Sequence, residues 1–310
     1  RDGTEHTNDF DVSGWDTSRY RLRIKATDND GTRGYREGTD FASGPGAVKD
    51  TTSGTVYAAL QDAIDAAISG HELRILGGET LYESVTVKDK NLAIKGGYDA
   101  TYANQDITNK SYIVGHYDSG AVLLFTRTTG TMTNELNCLD ISEDSGVIDA
   151  GVFGSGTGLG LDISIKDSRI HGIKNSGVMI CNGRGTLENV VLDHNGGDGA
   201  AVGRLAAGGM DIINCTIANN GYDGFHAFRE NKSYFSNSAI TENGEYGINH
   251  AGPQSGDIMD VTHSDIWGNT TSNYNNEVTE VAGVIHEDPL YTDRANSDYH
   301  IPTDSPCFNA

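Results

Sequence analysis

The stretch "IINCTIANNGYDGFHAF", Ile212 to Phe228, recurs upstream as "LENVVLDHNGGDGAAV", Leu187 to Val202, and downstream as "FSNSAITENGEYGINH", Phe235 to His250. Aligned on one aliphatic position, Ile170, Leu192, Ile217, Ile240 and Ile266 fall 22, 25, 23 and 26 residues apart. Other columns keep step. Three before each anchor stand Asp167, Asn189, Asn214, Asn237 and His263, and three after stand Asn195, Asn220, Asn243 and Asn269. Seven after come Gly177, Gly199, Gly224 and Gly247, each followed by an apolar residue. A period in the low twenties, with strand-like alternation around Asn-Gly punctuation, predicts a solenoid in which each repeat is one coil. A single coil cannot bury its apolar face, so coils stack and like residues pile on like at about 4.8 Å. A stacked Asn amide donates to one neighbour and accepts from the other, which predicts a self-satisfying internal ladder. The Gly after it is expected to supply positive φ at the corner. The repeat predicts roughly nine coils and a rod near 45 Å long at one strand spacing per coil.

Composition sets limits on partners. The chain has 310 residues, with 22 Lys and Arg against 44 Asp and Glu, giving a net charge of -22. Such a surface repels nucleic acid, anionic membranes and polyanionic sugars unless cations intervene, so no nucleic-acid partner and no membrane insertion are expected. No apolar run reaches membrane-spanning length, and Arg1 opens neither a basic nor an apolar leader, so any export signal is expected to be already removed or absent from this stretch. Cys138, Cys181, Cys215 and Cys307 show no metal-binding spacing, and their pairing is left open between bridges and small buried thiols.

Upstream, "TVYAALQDAIDAAISG" sets Tyr57, Leu60, Ile64, Ala67 and Ile68 on one helical face with Gly70 as the stop. It predicts a helix over about 55–69 that caps the first coil, where core and unpaired strand edge would otherwise be open. The first forty-two residues alternate Tyr20, Leu22 and Ile24 with charged neighbours and turn at "DNDG". They predict a strand extension, a hairpin or partial sandwich, joined by a linker over 43–54. Asp28 and Asp30 resemble the start of a calcium loop, but Thr39 stands where the closing Glu is needed, which favours the turn.

Taken together, the capping helix followed by "LRILGGETLYESVTV" and "IKGGYDATYANQD", the N-x-x-[IL]-x-x-N coils and the closing "DPLYTDRANSDYHIPTDSPCFNA" resemble the pectin-lyase-like right-handed parallel β-helix superfamily. The secreted bacterial members are the nearest likeness, over about residues 55 to 310. The opening strands are similar to the end of a fibronectin type III-like domain. The resemblance implies an all-β right-handed parallel β-helix solenoid with a tail over about 286–310 and an extracellular or cell-surface location. It also implies that a polysaccharide lyase or hydrolase is among the functions to be tested, though none of its matching motifs is catalytic.

Two columns could carry chemistry. Asp198 and Asp223 stand six after their anchors and would stack one strand spacing apart, close enough to share a proton or hold calcium, the one candidate cofactor. Arg204 and Arg229 stand twelve after, with His226 and Lys232 near, so Arg229 or Lys232 is the candidate base and His226 and Arg204 the sugar contacts. The alternative is architectural, because Asp before Gly is ordinary corner chemistry and long basic side chains cover solenoid surface. Tyr98 and Tyr102 are weighed likewise between sugar stacking and packing. The sequence therefore supports first a rigid extracellular rod with a structural, adhesive or self-associating role, through matrix contacts or N-terminal strand exchange. Alternatives are a calcium-dependent polysaccharide lyase or hydrolase, and a non-catalytic carbohydrate-binding surface.

Overall fold

The computed structural model describes residues 23–27, 33–37, 46–115, 120–158, 160–203, 208–228 and 232–308. The chain divides into two compact units at Gly46. In the first, Arg23–Thr27 and Arg33–Glu37 pair antiparallel, Arg23 opposite Glu37 and Thr27 opposite Arg33. This is a hairpin with Ile24 in its first strand; Tyr20, Leu22, Asp28, Asp30 and Thr39 lie outside the described residues.

In the second unit every coil visits three sheets in turn. One coil runs through Gly209–Ile213 in sheet I, Thr216–Ala218 in sheet II and Phe225–Ala227 in sheet III. Sheets II and III each hold eight strands, seven coil steps or about 34 Å from first to last, while sheet I continues to eleven, of which nine are parallel. The anchor column is the core of sheet II: Ile170, Leu192, Ile217, Ile240 and Ile266 pair in parallel register and are fully buried.

The Asn ladder forms as expected. Asn195 Nδ2 donates to Asn220 Oδ1 at 2.9 Å, Asn220 to Asn243 at 3.0 Å and Asn243 to Asn269 at 2.9 Å. The role given to the following glycines is corrected. Gly196, Gly221 and Gly244 do not adopt positive φ; at this corner that conformation belongs to the residue before the ladder Asn, His194, Asn219 and Glu242, and at the corner before sheet II to Asp167, Asn189, Asn214, Asn237 and His263. The glycines are required by close approach instead. A Cβ on Gly221 would lie 2.2 Å from Gly196 O, and one on Gly244 would lie 2.1 Å from Gly221 O. Gly221→Ala is expected to force the coils apart and cost about 2–3 kcal/mol, read as a fall in the urea midpoint at unchanged slope. An unchanged midpoint would show that the corner can give way.

The cap is shorter than predicted. The helix is Leu60–Ala66, burying Leu60, Ala63 and Ile64, while Ile68 is exposed and Val56–Tyr57 forms a strand against Val48–Asp50. Strand pairing satisfies that backbone better than another helical turn would. The helix start is capped from a distance, the Leu60 and Gln61 N–H groups donating to the Glu83 carboxylate at 2.8 and 3.0 Å. Val48–Asp50 falls in the stretch read as linker, and burial makes it structure: Val48 is fully covered, and Asp50 accepts from the Thr52 and Ser53 amides. Tyr98 and Tyr102 pack, with Arg74 over one ring and Lys49 over the other. All four cysteines are free thiols. Cys215 sits two before its anchor, where Ser238 and Ser264 follow it in the next coils, its amide donating to Ser238 Oγ at 3.1 Å.

The tail does not close the last coil. It turns back along the corners of earlier coils, Tyr291 meeting Thr241, Tyr299 meeting Asn219 and Asp193, and Arg294 bridging Glu242 and Asp288. No described helix is long and apolar enough to cross a membrane.

Candidate functional site

Outward positions on sheet III decide where a site can form. Strand alternation buries Phe225 and Ala227 and turns His226 out, in register with Ala201 in the preceding coil and Asn249 in the next. One coil further back the same column holds Met179. Ala201 is therefore a small residue between two large ones. Beside it Gly203 lets the Phe228 ring lie close, since a Cβ there would come within 2.9 Å of that ring. These small residues open a cleft of about 350 Å³, lined among others by Met179, Asp198, Tyr222, Asp223, His226 and Phe228.

The polar centre is built from the corner. Asp198 and Asp223 precede Gly199 and Gly224, where a Cβ would lie 2.7 Å from a carbonyl oxygen of the next coil, and each uses one oxygen to hold that coil. Asp198 Oδ1 accepts from the Asp223 N–H at 3.2 Å and Asp223 Oδ1 from the Tyr246 N–H at 3.0 Å. The second oxygens face the imidazole, with His226 Nδ1 2.9 Å from Asp223 Oδ2 and 3.7 Å from Asp198 Oδ2. Asn249 Nδ2 also donates to Asp223 Oδ2 at 2.8 Å and takes a bond from Asn275 at 2.9 Å, so that carboxylate is held on every side. Asp198 Oδ2 has no nearer partner than His226 among the described residues, so it is the less tightly held of the two oxygens that face the imidazole.

Burial works against a charged imidazole here, but hydrogen bonds and the charges of Asp198 and Asp223 overcome it and push His226 up to about 9 from 6.5. His226 is thus an imidazolium at neutral pH, stacked on Phe228 with ring centroids 4.1 Å apart, its Nε2 buried without a partner among the described residues. The raised value has a consequence for stability. The folded state holds the proton more tightly, so the cluster's contribution is complete below pH 6.5 and disappears as pH rises through 9. Discounted for water reaching the ring, the effect is about 1–2 kcal/mol. The stability gap between wild type and His226→Gln should close by that amount across this window in thermal melts. A constant gap would place the titration elsewhere.

The structure thus brings together Asp198, Asp223 and His226, the group whose ligand atoms lie within 4.8 Å of one another. Lys232 is not with them; it opens Lys232–Ser236 in sheet I and does not line the cleft, because the chain has turned a corner after Phe228. Arg204 and Arg229 lie outside the described residues. His250 is also apart, bound to Asp257 at 3.0 Å. Asn249 was missed, although its place nine after the anchor, in the His226 column, was readable. As a cation site the set offers two carboxylates and an imidazole nitrogen. Calcium takes roughly six to eight oxygens, so here it would need water or backbone oxygens beside the two carboxylates, and the nitrogen suits a zinc-like ion only if His226 gives up its proton.

Residues 150–283 match the family model described as the right handed beta helix region. No curated protein matches the sequence. Among solved structures the chain is similar to pectate lyase Pel9A, at 15% identity and a TM-score of 0.44 over 76% of this chain and 64% of that one. It is similar also to the A-module of the mannuronan C-5 epimerase AlgE4 of Azotobacter vinelandii, at 17% and 0.38 over 74% and 71%. A third likeness is the pectin methylesterase from Aspergillus niger, at 13% and 0.33 over 83% and 95%. The chain spans 64% of the length of the pectate lyase. With three parallel sheets traced coil by coil and that match over residues 150–283, the fold is a right-handed parallel β-helix.

Proposed function

We propose that the protein binds an extracellular polysaccharide across the sheet III cleft and cleaves it there, as a lyase or a hydrolase. The observation that carries this reading is the His226 ring held between the Asp198 and Asp223 carboxylates in a cleft walled by Tyr222 and Phe228. Aromatic rings offer a face to the apolar side of a sugar ring, while a fixed cation beside a less tightly held carboxylate oxygen supplies charge and a proton acceptor. In this arrangement Asp198 Oδ2 either takes the proton from the sugar carbon as the glycosidic C–O bond breaks, or attacks the anomeric carbon as the nucleophile of a retaining hydrolase whose glycosyl intermediate water then releases. In both cases the leaving oxygen takes a proton from water, and His226 steadies the negative charge that develops. Asp223 keeps His226 charged and oriented, with Asn249 fixing Asp223 in turn. The separation below 4.8 Å leaves no room for a water between the two carboxylates, which speaks against an inverting pair.

The test is a panel of polysaccharides incubated with the protein and with His226→Gln. Unsaturated ends mark a lyase and new reducing ends a hydrolase; wild-type activity that the variant loses supports the reading. No product from any acidic or neutral glycan would sink it.

A structural rod is the second reading, and one feature favours it. Thr279–Ala282 ends sheet I exposed along its whole length and pairs only with Ile258–Thr262, so one edge is open to another strand. Sedimentation at rising concentration tests it, and a strict monomer would remove it.

A further inference from the structure

A second cleft, about 330 Å³, lies where the returning tail crosses the corners between sheets I and II. One wall is the outward column three before the anchors, Asn214 and Asn237, one coil apart and so about 4.8 Å along the stack. Both adopt left-handed backbone, φ 53 and 49, and give their N–H groups to Ser236 O and Thr262 O. Neither side-chain amide has a partner among the described residues, whereas Asn189 in the same column donates to Asp167 at 3.1 Å. Left-handed backbone explains why Asn stands there, but not why two amides face a cleft.

The opposite wall is tail. Tyr291 and Tyr299 meet edge to face with centroids 5.0 Å apart. Their hydroxyls are held outside the cleft, Tyr291 Oη by Thr241 at 3.2 Å and Tyr299 Oη by Asn219 and Asp193 at 3.3 Å, leaving ring surface and the half-exposed Ile301 toward the cavity. The lining contains no Lys or Arg. Its one carboxyl, Asp265, is buried against the Cys307 thiol, and burial pushes it up to about 6. The one imidazole of the lining, His263, is hydrogen-bonded to Thr262 Oγ1 at 2.8 Å, so the cleft holds no permanent cation for an anionic ligand.

We infer that this tail cleft is a binding site for neutral sugar units, with the amides of Asn214 and Asn237 gripping ring hydroxyls and Tyr291, Tyr299 and Ile301 covering the apolar ring face. An amide both donates and accepts, as a hydroxyl does, and a pocket of this size with one apolar wall and a few convergent polar groups suits one or two sugar rings. The site is separate from the sheet III cleft: the Asn column precedes the sheet II strands, while His226 lies within a sheet III strand.

The experiment is calorimetric titration of the full chain with neutral tetrasaccharides of β-1,4-glucan, α-1,4-glucan, β-1,4-mannan and β-1,4-galactan, with tetragalacturonate as the anionic comparison. The double variant N214G/N237G removes both amides and retains the backbone conformation at no steric cost; its melting temperature is checked beside the wild type. The expected result is that at least one neutral tetrasaccharide binds, that N214G/N237G weakens it at least tenfold, and that H226Q leaves it unchanged. Ile301→Asp is a second variant acting from the tail wall, expected to weaken the same ligand. Absence of binding by every neutral tetrasaccharide overturns the inference. So does binding lost in H226Q and kept in N214G/N237G, or preference for tetragalacturonate. Failure of polysaccharide cleavage is read separately, since N214G/N237G does not touch the sheet III cleft.

Discussion

Asn220→Ala should destabilise the solenoid by about 3–4 kcal/mol, the largest loss expected from any single truncation outside the aliphatic core. Asn220 is buried, donates to Leu192 O at 3.1 Å and Asn243 Oδ1 at 3.0 Å, and accepts from both the backbone and the side chain of Asn195. Alanine leaves the Asn195 N–H without its acceptor inside the stack and opens a void beside it. Water cannot reach the gap, so the groups stay unpaired, which costs more than the bonds themselves contribute. Because each rung depends on the next, Asn220→Ala with Asn243→Ala should cost clearly less than the sum of the two. Denaturant unfolding of the two single variants and the double checks both statements. A single-variant loss under about 1 kcal/mol would mean that the ladder is ornamental to stability.

The second large effect is on chemistry. Asp223→Asn should lower polysaccharide cleavage by about 10²–10⁴ while the coil corner survives. Asparagine can still accept from the Tyr246 N–H, but if its amide nitrogen replaces Oδ2 it meets donors from both His226 and Asn249. His226 then keeps only Asp198 as a counter-charge, at 3.7 Å, and burial draws its proton affinity down. Initial rates at saturating polysaccharide, with melting curves as the control for folding, measure this. An unchanged rate in a folded variant would remove Asp223 from the mechanism.

What the sequence made legible follows from the direction of the contacts. Interactions along the stacking axis repeat with the coil, so the anchor column, the Asn ladder and the Asp198–Asp223 step are all visible as spacing. His226 was readable for the same reason, and Asn249 would have been had its column been followed one coil further. Contacts that cross the stack carry no period. The Glu83 cap on the helix spans 23 residues, and the Tyr299–Asp193 contact that ties down the tail spans 106. The cleft itself was hidden for a different reason: it is made by what Ala201 and Gly203 lack, and small residues give no pattern until their large neighbours are placed. The misassigned glycines show a limit of local reasoning. Gly after Asn reads as a turn, yet at Gly221 the neighbouring coil, not φ, excludes a side chain.

The central claim is a charged His226 held by two carboxylates in the sheet III cleft, and the measurement that reaches it most directly is an NMR titration of the His226 ring nitrogens. The structure predicts a midpoint near 9 in the wild type, falling toward 6.5 in Asp223→Asn, with the bound-ring signal perturbed when an oligosaccharide that is cleaved is added. A wild-type midpoint at or below 6.5, indifferent to Asp223, would contradict the site and the chemistry built on it.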